Sequence, residues 1–395
     1  MEKDPVVIVG AKRTPMGGFQ GDLSGVEATA LGSHAIAAAL VDAGLAADQV
    51  EEVIMGLVLP AGTGQAPARQ ASRGAGIPDE AGATTINKVC GSGMKAAMMA
   101  HDGILVGTSS IVVAGGMESM TNTPYLLPNA RAGMRIGHGE VKDHMFLDGL
   151  EDAYDKGRAM GTYAEDTAEK YQFTREAQDA YAIESLRRAK TANEDGSFDG
   201  EIAPITIKTR KGEVTVSNDE QPFKASPEKI PNLKPAFRKD GTVTAANSSS
   251  ISDGAAAFVM MRLSEAEKRG LTPIAAIRGH ATNSHAPEWF TTAPVKAIEK
   301  VLGKAGWTTE DVDLYEVNEA FAVVAMAAMH DLGLPHDKVN VHGGACALGH
   351  PLGASGARIM VTLMNALKKH GQTKGVASLC IGGGEATAIA LEMLN

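Results

Sequence analysis

Cysteine is scarce: the 395 residues hold three, at positions 90, 346 and 380, an odd number with no Cys-x-x-Cys pair. That excludes a disulfide framework and a cysteine-rich zinc site, and it fits a reducing compartment. Positive charge is also in deficit, with 37 Lys and Arg against 47 Asp and Glu for a net charge of −10. Nucleic-acid binding needs a basic footprint, so none is expected, and any anionic ligand has to be met by a local basic patch. Long apolar runs are missing too. The longest uncharged apolar stretch, Ala320 to Met329, falls far short of the ~18 residues that cross a bilayer. The start, MEKDPVVIVG, has too short an uncharged run for a signal-peptide core. These absences place the protein in the cytoplasm, away from membranes.

What is abundant is glycine, 45 residues or about 11 %, against a usual ~7 %. With 44 % apolar residues and 17 prolines the composition is otherwise that of a globular protein, which rules out collagen and disorder. The length suggests two or three units with a substantial core.

Short β-branched runs alternate with alanine-rich helical runs, the pattern of a sheet covered by helices on both faces. Strands are expected at 6–10, 52–57, 111–114, 255–261, 274–279, 312–316 and 376–381. Helices are expected at 25–43, 294–305 and 355–370, closed by Gly44, Gly306 and Gly371. A Cys-containing turn, helix and strand at 90–116 resemble a His-containing turn, helix and strand at 350–384, suggesting two halves of one topology. Between about 119 and 246 the alternation stops and charge, proline and glycine rise. One helix is expected there, at 175–193 with Thr174 as N-cap. A long excursion of this kind reads as a lid or binding segment, or as a disordered insert.

Four residues share a setting in glycine-rich turns. Cys90 lies where VCGSG turns into a helix, so the helix dipole and free N–H groups favour its thiolate. A buried, inert cysteine is the alternative. His350, in GHPLG, opens another helix and reads as a base or as a hydrogen-bonded structural histidine. Cys380 ends a strand before three glycines whose N–H groups can serve as oxyanion donors, or it is simply core. Asn318, in VNEAF, is a site residue or a helix N-cap.

Together VCGSG, TVTAANSSSISDGAAA, NEAF, GGACALGHPLGASGAR and CIGGG, in the family's order and spacing, resemble the motif set of the thiolases over almost the whole sequence. The likeness is greatest to those that act on acetyl-CoA and acetoacetyl-CoA. The resemblance implies a five-layer αβαβα sandwich of two similar halves with an inserted loop domain. The division it suggests is residues 1–119 completed by 252–273, an insert at 120–251 that binds coenzyme A, and 274–395. It implies acyl transfer between acyl-CoA substrates with no permanently bound cofactor and no metal. By the same resemblance Cys90 is the nucleophile, His350 its base and Cys380 the acid/base at the substrate α-carbon. Asn318 and the N–H of Gly382 contribute oxyanion stabilisation. Lys224, Lys229 and Ser249 match coenzyme A contacts, Ala320 and Phe321 match walls of the acyl pocket, and Met160 belongs to a run that departs from His-Met-Gly. The lysines read equally well as solvated surface. Leu186 replaces a tyrosine of a potassium-activated relative, so that ion is not expected, and Cys346 reads as packing. Relatives form homotetramers, with 124–143 the candidate inter-dimer loop. A thiolase of broader chain length is the alternative activity.

Overall fold

The computed structural model describes residues 4–210 and 212–394. Its sheet strands are β1 (Val6–Arg13), β2 (Glu52–Gly56), β3 (Gly82–Ile86), β4 (Val112–Ser119), β5 (Ser252–Arg262), β6 (Ala275–Ser284), β7 (Leu314–Val317), β8 (Lys374–Ile381) and β9 (Glu385–Met393). They run in the order β7-β8-β9-β6-β1-β5-β4-β2-β3. The join between β6 and β1 is only two residue pairs long, Val7 with Ala276 and Ile8 with Ala275, so the sheet is two sheets meeting at a seam.

The halves repeat one connectivity. In the first, β1 and β4 flank β5 antiparallel, and β2 lies parallel to β4. In the second, β6 and β8 flank β9 antiparallel, and β7 lies parallel to β8. Even the register slips match, at Ile8/Gly10 in β1 and Ile277/Gly279 in β6. Strand β5 joins the first half from beyond the insert.

Helices complete the layers. Helix α1 (Ala28–Ala43) covers the outer face of the first sheet, sharing a core with Val7, Val53, Val113 and Val259. Helices α2 (Ser92–Val106) and α7 (Leu352–His370) lie between the sheets, in a core with Ile8, Ala114, Phe258, Leu379 and Ile389. Helices α5 (Ala293–Ala305) and α6 (Ala322–Leu332) cover the second sheet. The insert contributes α3 (Gly161–Tyr171) and α4 (Arg175–Glu194), the latter capped by Thr174 Oγ1 accepting from Ala177 N at 3.2 Å. Both faces of the sheets are covered, so strands read as continuous apolar runs such as AAAFVMM.

Middle-layer burial explains α7. The sequence pattern marks one apolar face of 355–370, yet from Leu352 to Leu367 the helix is buried nearly all round. Glycines let it meet α2 backbone to backbone: a Cβ on Gly356 would lie 2.5 Å from Met94 N, and one on Gly93 2.8 Å from Ala357 N. That contact brings the start of the Cys90 helix to the start of the His350 helix.

Candidate active site

Cys90 sits at a strained turn. Val89, just before it, has φ 47, a left-handed conformation that a β-branched residue rarely adopts. Local bonds hold it there: Asn87 Oδ1 accepts from Val89 N at 2.8 Å, and Ser92 Oγ accepts from Lys88 N at 2.8 Å while donating to Val89 O at 2.7 Å. Lys88 pairs with Glu385, the first residue of β9, and so ties the turn to the other half. Two N–H groups, from Gly382 and from Cys90 itself, donate to the sulfur and favour its thiolate. Burial outweighs them and, with a smaller push from Glu118, raises the thiol to about 11. Desolvation therefore overrides the dipole argument from sequence: the resting group is a thiol.

His350 is also buried and held neutral. Loss of hydration, with the Arg358 charge adding to it, pushes the imidazole down to about 3. Its Nδ1 lies 2.5 Å from Ser355 Oγ, which donates its only hydrogen to Pro351 O at 2.8 Å. The hydrogen bonds therefore assign the proton to Nδ1, and Nε2 is left a buried acceptor with no partner. That is the form a base needs.

Asn318 is not an N-cap, since α6 begins at Ala322 with Phe321 at its cap. Its N–H bonds Ser378 O on β8 at 3.0 Å, and its Oδ1 lies 3.4 Å from Arg358 Nη2. The amide nitrogen is buried without a partner, a second polar group held ready. Cys380 is fully buried at the end of β8 and is pushed well up, by burial first and by the neighbouring Cys90 second. The turn beyond it is conformationally demanding: Gly384 has φ 86, and a Cβ there would lie 2.3 Å from His285 O. Gly382 differs, because a Cβ there would make only ordinary contacts, with Met160 Cε at 3.5 Å and Val89 Cγ1 at 3.8 Å.

The second ring of predicted residues is placed as follows. Ala320 and Phe321 are buried, Phe321 packs edge-on to Phe237 and Phe290 at 6.0 and 6.5 Å, and Ser249 N donates to Ala320 O at 3.0 Å. Lys224 and Lys229 share the lining of a cavity of about 300 Å³ with Leu233, Ser250 and Cys346. Lys224 is paired there with Glu220. A larger cleft of about 1430 Å³, between 205–220 and 21–34, carries Asp22, Asp219 and Glu220 but none of the reactive groups.

Glu118 and Arg358 escaped the sequence reading. Glu118 ends β4 fully buried, accepting from Val58 N, Leu59 N and Gly353 N at 3.0, 3.2 and 2.9 Å, so it joins the first half to the start of α7. Burial raises its carboxyl to about 7. Arg358 is buried beside Glu316, with Nε and Nη1 unbonded. The available signal was a charge amid small and apolar residues, Glu118 within VAGGMESM and Arg358 at the end of GGACALGHPLGASGAR.

Two thiols from different halves, a neutral imidazole with a free nitrogen and N–H groups on a glycine turn are a set of groups suited to thiol-dependent acyl transfer. The chain matches the thiolase N-terminal domain over residues 6–264 and the thiolase C-terminal domain over 271–393. It belongs to the thiolase family. Acetyl-CoA acetyltransferase 2 of Arabidopsis thaliana is 52 % identical over 392 residues, 98 % of this chain and 97 % of that one. The acetyl-CoA acetyltransferase of Chromobacterium violaceum is 48 % identical over 389 residues, 98 % and 99 % of the two chains. Among solved structures, the Bacillus anthracis acetyl-CoA acetyltransferase superposes with TM-score 0.96 at 43 % identity, covering 99 % of both chains. The Acat5 thiolase of Ascaris suum in complex with coenzyme A gives 0.94 at 44 %, covering 99 % of this chain and all of that one. The five-layer fold follows from these matches, and the relatives do not favour the broader-chain alternative.

Proposed function

We propose that the protein is an acetyl-CoA acetyltransferase, interconverting acetoacetyl-CoA plus coenzyme A with two acetyl-CoA. The observation that carries this reading is the placing of Cys90, from the first half, beside Cys380, from the second, with the Gly382 N–H directed at Cys90 Sγ. Cys90 Sγ attacks the ketone carbon of acetoacetyl-CoA as its proton passes to His350 Nε2. The bond between the ketone carbon and the α-carbon then breaks, and the electron pair left on the α-carbon takes a proton from Cys380. Acetyl-CoA leaves and acetyl-Cys90 remains. The thiol of a second coenzyme A gives its proton to the Cys380 thiolate and attacks that thioester; the carbon–sulfur bond to Cys90 breaks, His350 Nε2 returns its proton to Cys90 Sγ, and the second acetyl-CoA is released.

Each oxyanion is met by its own set of donors. His350 becomes a donor at Nε2 once it has accepted the proton, and Asn318 Nδ2 supports the same oxygen through a bound water. The N–H groups of Cys90 and Gly382 serve the acyl-enzyme stage. Removing one such donor typically costs about 3–4 kcal/mol of barrier. Met160, Ala320 and Phe321 border the acyl group, Ser249 lies along the pantetheine arm, and Lys224 and Lys229 sit at the nucleotide end. Coenzyme A is thus a substrate, with no resident cofactor. The working units are 1–119 with 252–273, the coenzyme A-binding insert at 120–251, and 274–395.

The same reading makes the protein a cytoplasmic homotetramer. Its support is the exposure of Tyr125, Leu127, Met134, Ile136 and Val141 on the 124–143 loop, side chains suited to burial against a second dimer. Mass spectrometry after mixing with acetyl-CoA tests the chemistry: the acetyl group should be on Cys90, and finding it on Cys346 or Cys380 overturns the assignment. Activity that rises with chain length beyond four carbons would sink the acetoacetyl-CoA specificity.

A further inference from the structure

A cluster remote from the reacting thiols carries an inference of its own. His101 and Asp102 lie on α2, and His280 lies on β6 of the other half. Asp102 Oδ1 is 3.1 Å from His101 Nδ1 and 2.8 Å from His280 Nε2, and one donor atom from each of the three lies within 4.8 Å of the others. The imidazole rings meet edge to face with centroids 5.0 Å apart. We propose that His101, Asp102 and His280 bind a single divalent transition ion of the zinc, cobalt or nickel class.

The donor chemistry suits such an ion. Two imidazoles and one carboxylate match borderline metals, whereas magnesium and calcium prefer all-oxygen sites. Metal–ligand bonds of about 2.1 Å place neighbouring ligands roughly 3.0–3.4 Å apart in octahedral or tetrahedral geometry, close to the 3.1 and 2.8 Å separations from Asp102 Oδ1; the two ring nitrogens lie within 4.8 Å of each other. Both histidine side chains are largely covered while Asp102 is 59 % exposed, so the ring nitrogens are held by packing and the carboxylate side opens to solvent. That leaves an entry path and a free coordination position for water. Lys304 is the nearby cation that opposes a metal, but its Nζ is engaged by His280 O at 2.9 Å.

Placement gives the site its consequence. Eleven residues along α2 from Cys90, at ~1.5 Å per residue, the ion lies about 16 Å from the nucleophile and takes no part in acyl transfer. It links the helix that carries Cys90 to the second sheet. Occupancy should stabilise the fold and leave turnover unchanged.

Cobalt(II) titration of the chelator-treated enzyme tests this, followed by its visible spectrum and by thermal unfolding. One equivalent per chain should bind, with d–d bands, no thiolate-to-metal charge-transfer band and a raised Tm. His280→Ala should weaken binding at least tenfold and abolish the Tm shift while thiolysis stays within twofold. Asp102→Asn, at an exposed position, is the second variant should His280→Ala fail to fold, and it should weaken binding likewise. No binding, a thiolate band assigning the ion to a cysteine, or unchanged affinity in either folded variant overturns the proposal.

Discussion

Alkylation of Cys90 in the free enzyme should accelerate about tenfold for each pH unit between 7 and 10, with no plateau near neutrality. Burial sets this expectation, since it raises the thiol to about 11 against the two N–H groups that oppose it. At pH 7 the thiolate fraction is then on the order of one in ten thousand, equivalent to about 5 kcal/mol for deprotonation. No resting ion pair relieves that cost, because His350 is pushed down to about 3 and stays neutral. The assay is iodoacetamide modification followed peptide by peptide, so that Cys90 is resolved from Cys346 and Cys380, both of which burial also pushes well up. His350→Asn should leave the alkylation slope unchanged while thiolysis collapses, because the imidazole acts during attack and not before it. A fast, pH-independent rate between pH 5 and 8, lost in His350→Asn, would mean a thiolate–imidazolium pair and refute the reasoning.

Arg358→Lys keeps the buried charge near Glu316 but removes the guanidinium N–H that faces Asn318 Oδ1. Steady-state thiolysis should show kcat down by about tenfold to a hundredfold with little change in KM for coenzyme A, part of the 3–4 kcal/mol carried by a whole oxyanion donor; an unaltered kcat in a folded variant counts against a positioning role. Cys380→Ser should still take an acetyl group on Cys90 yet lose deuterium exchange at the α-carbon of acetyl-CoA, and undiminished exchange would remove Cys380 from the proton transfer. Glu118, raised from 4.5 to about 7 by burial, binds its proton more tightly folded than unfolded. Its contribution is therefore full below pH 4.5 and is lost as pH rises through 7, by roughly 3 kcal/mol. Denaturant unfolding from pH 4.5 to 8 should show that slope in the wild type and a flatter one in Glu118→Gln; equal slopes would assign the dependence elsewhere.

Why some of this was readable from the sequence and some was not has a physical basis. Helices ending in glycine were legible because the signal is local: Gly44, Gly306 and Gly371 all adopt left-handed φ, 65, 69 and 64, where the sequence ends α1, α5 and α7. Starts were off by one to three residues, as at α1, where Glu27 is still extended and the helix begins at Ala28 rather than Gly25. Strand β9, EATAIALEM, was not identified because its alanines and glutamates favour helix; pairing with β6 and β8 along its length overrides that propensity. The site divides along the same line. Cys90, His350 and Cys380 stand in glycine-rich turns that a sequence displays directly, and Asn318 stands just past a strand. Val89 is invisible, since a β-branched residue is a poor choice for φ 47 and is kept there only by Asn87 and Ser92. Glu118 and Arg358 look like surface charges until their partners are known, and those partners lie 235 and 40 residues away. Their burial is what distinguishes a reactive centre from a set of motifs. Arg358 engages the oxygen of Asn318 and Ser355 engages Nδ1 of His350, and these contacts leave the amide nitrogen and the Nε2 acceptor among the buried groups without partners in the described residues. A buried polar atom without a partner costs about 1–3 kcal/mol, a cost repaid only when substrate supplies the missing bond.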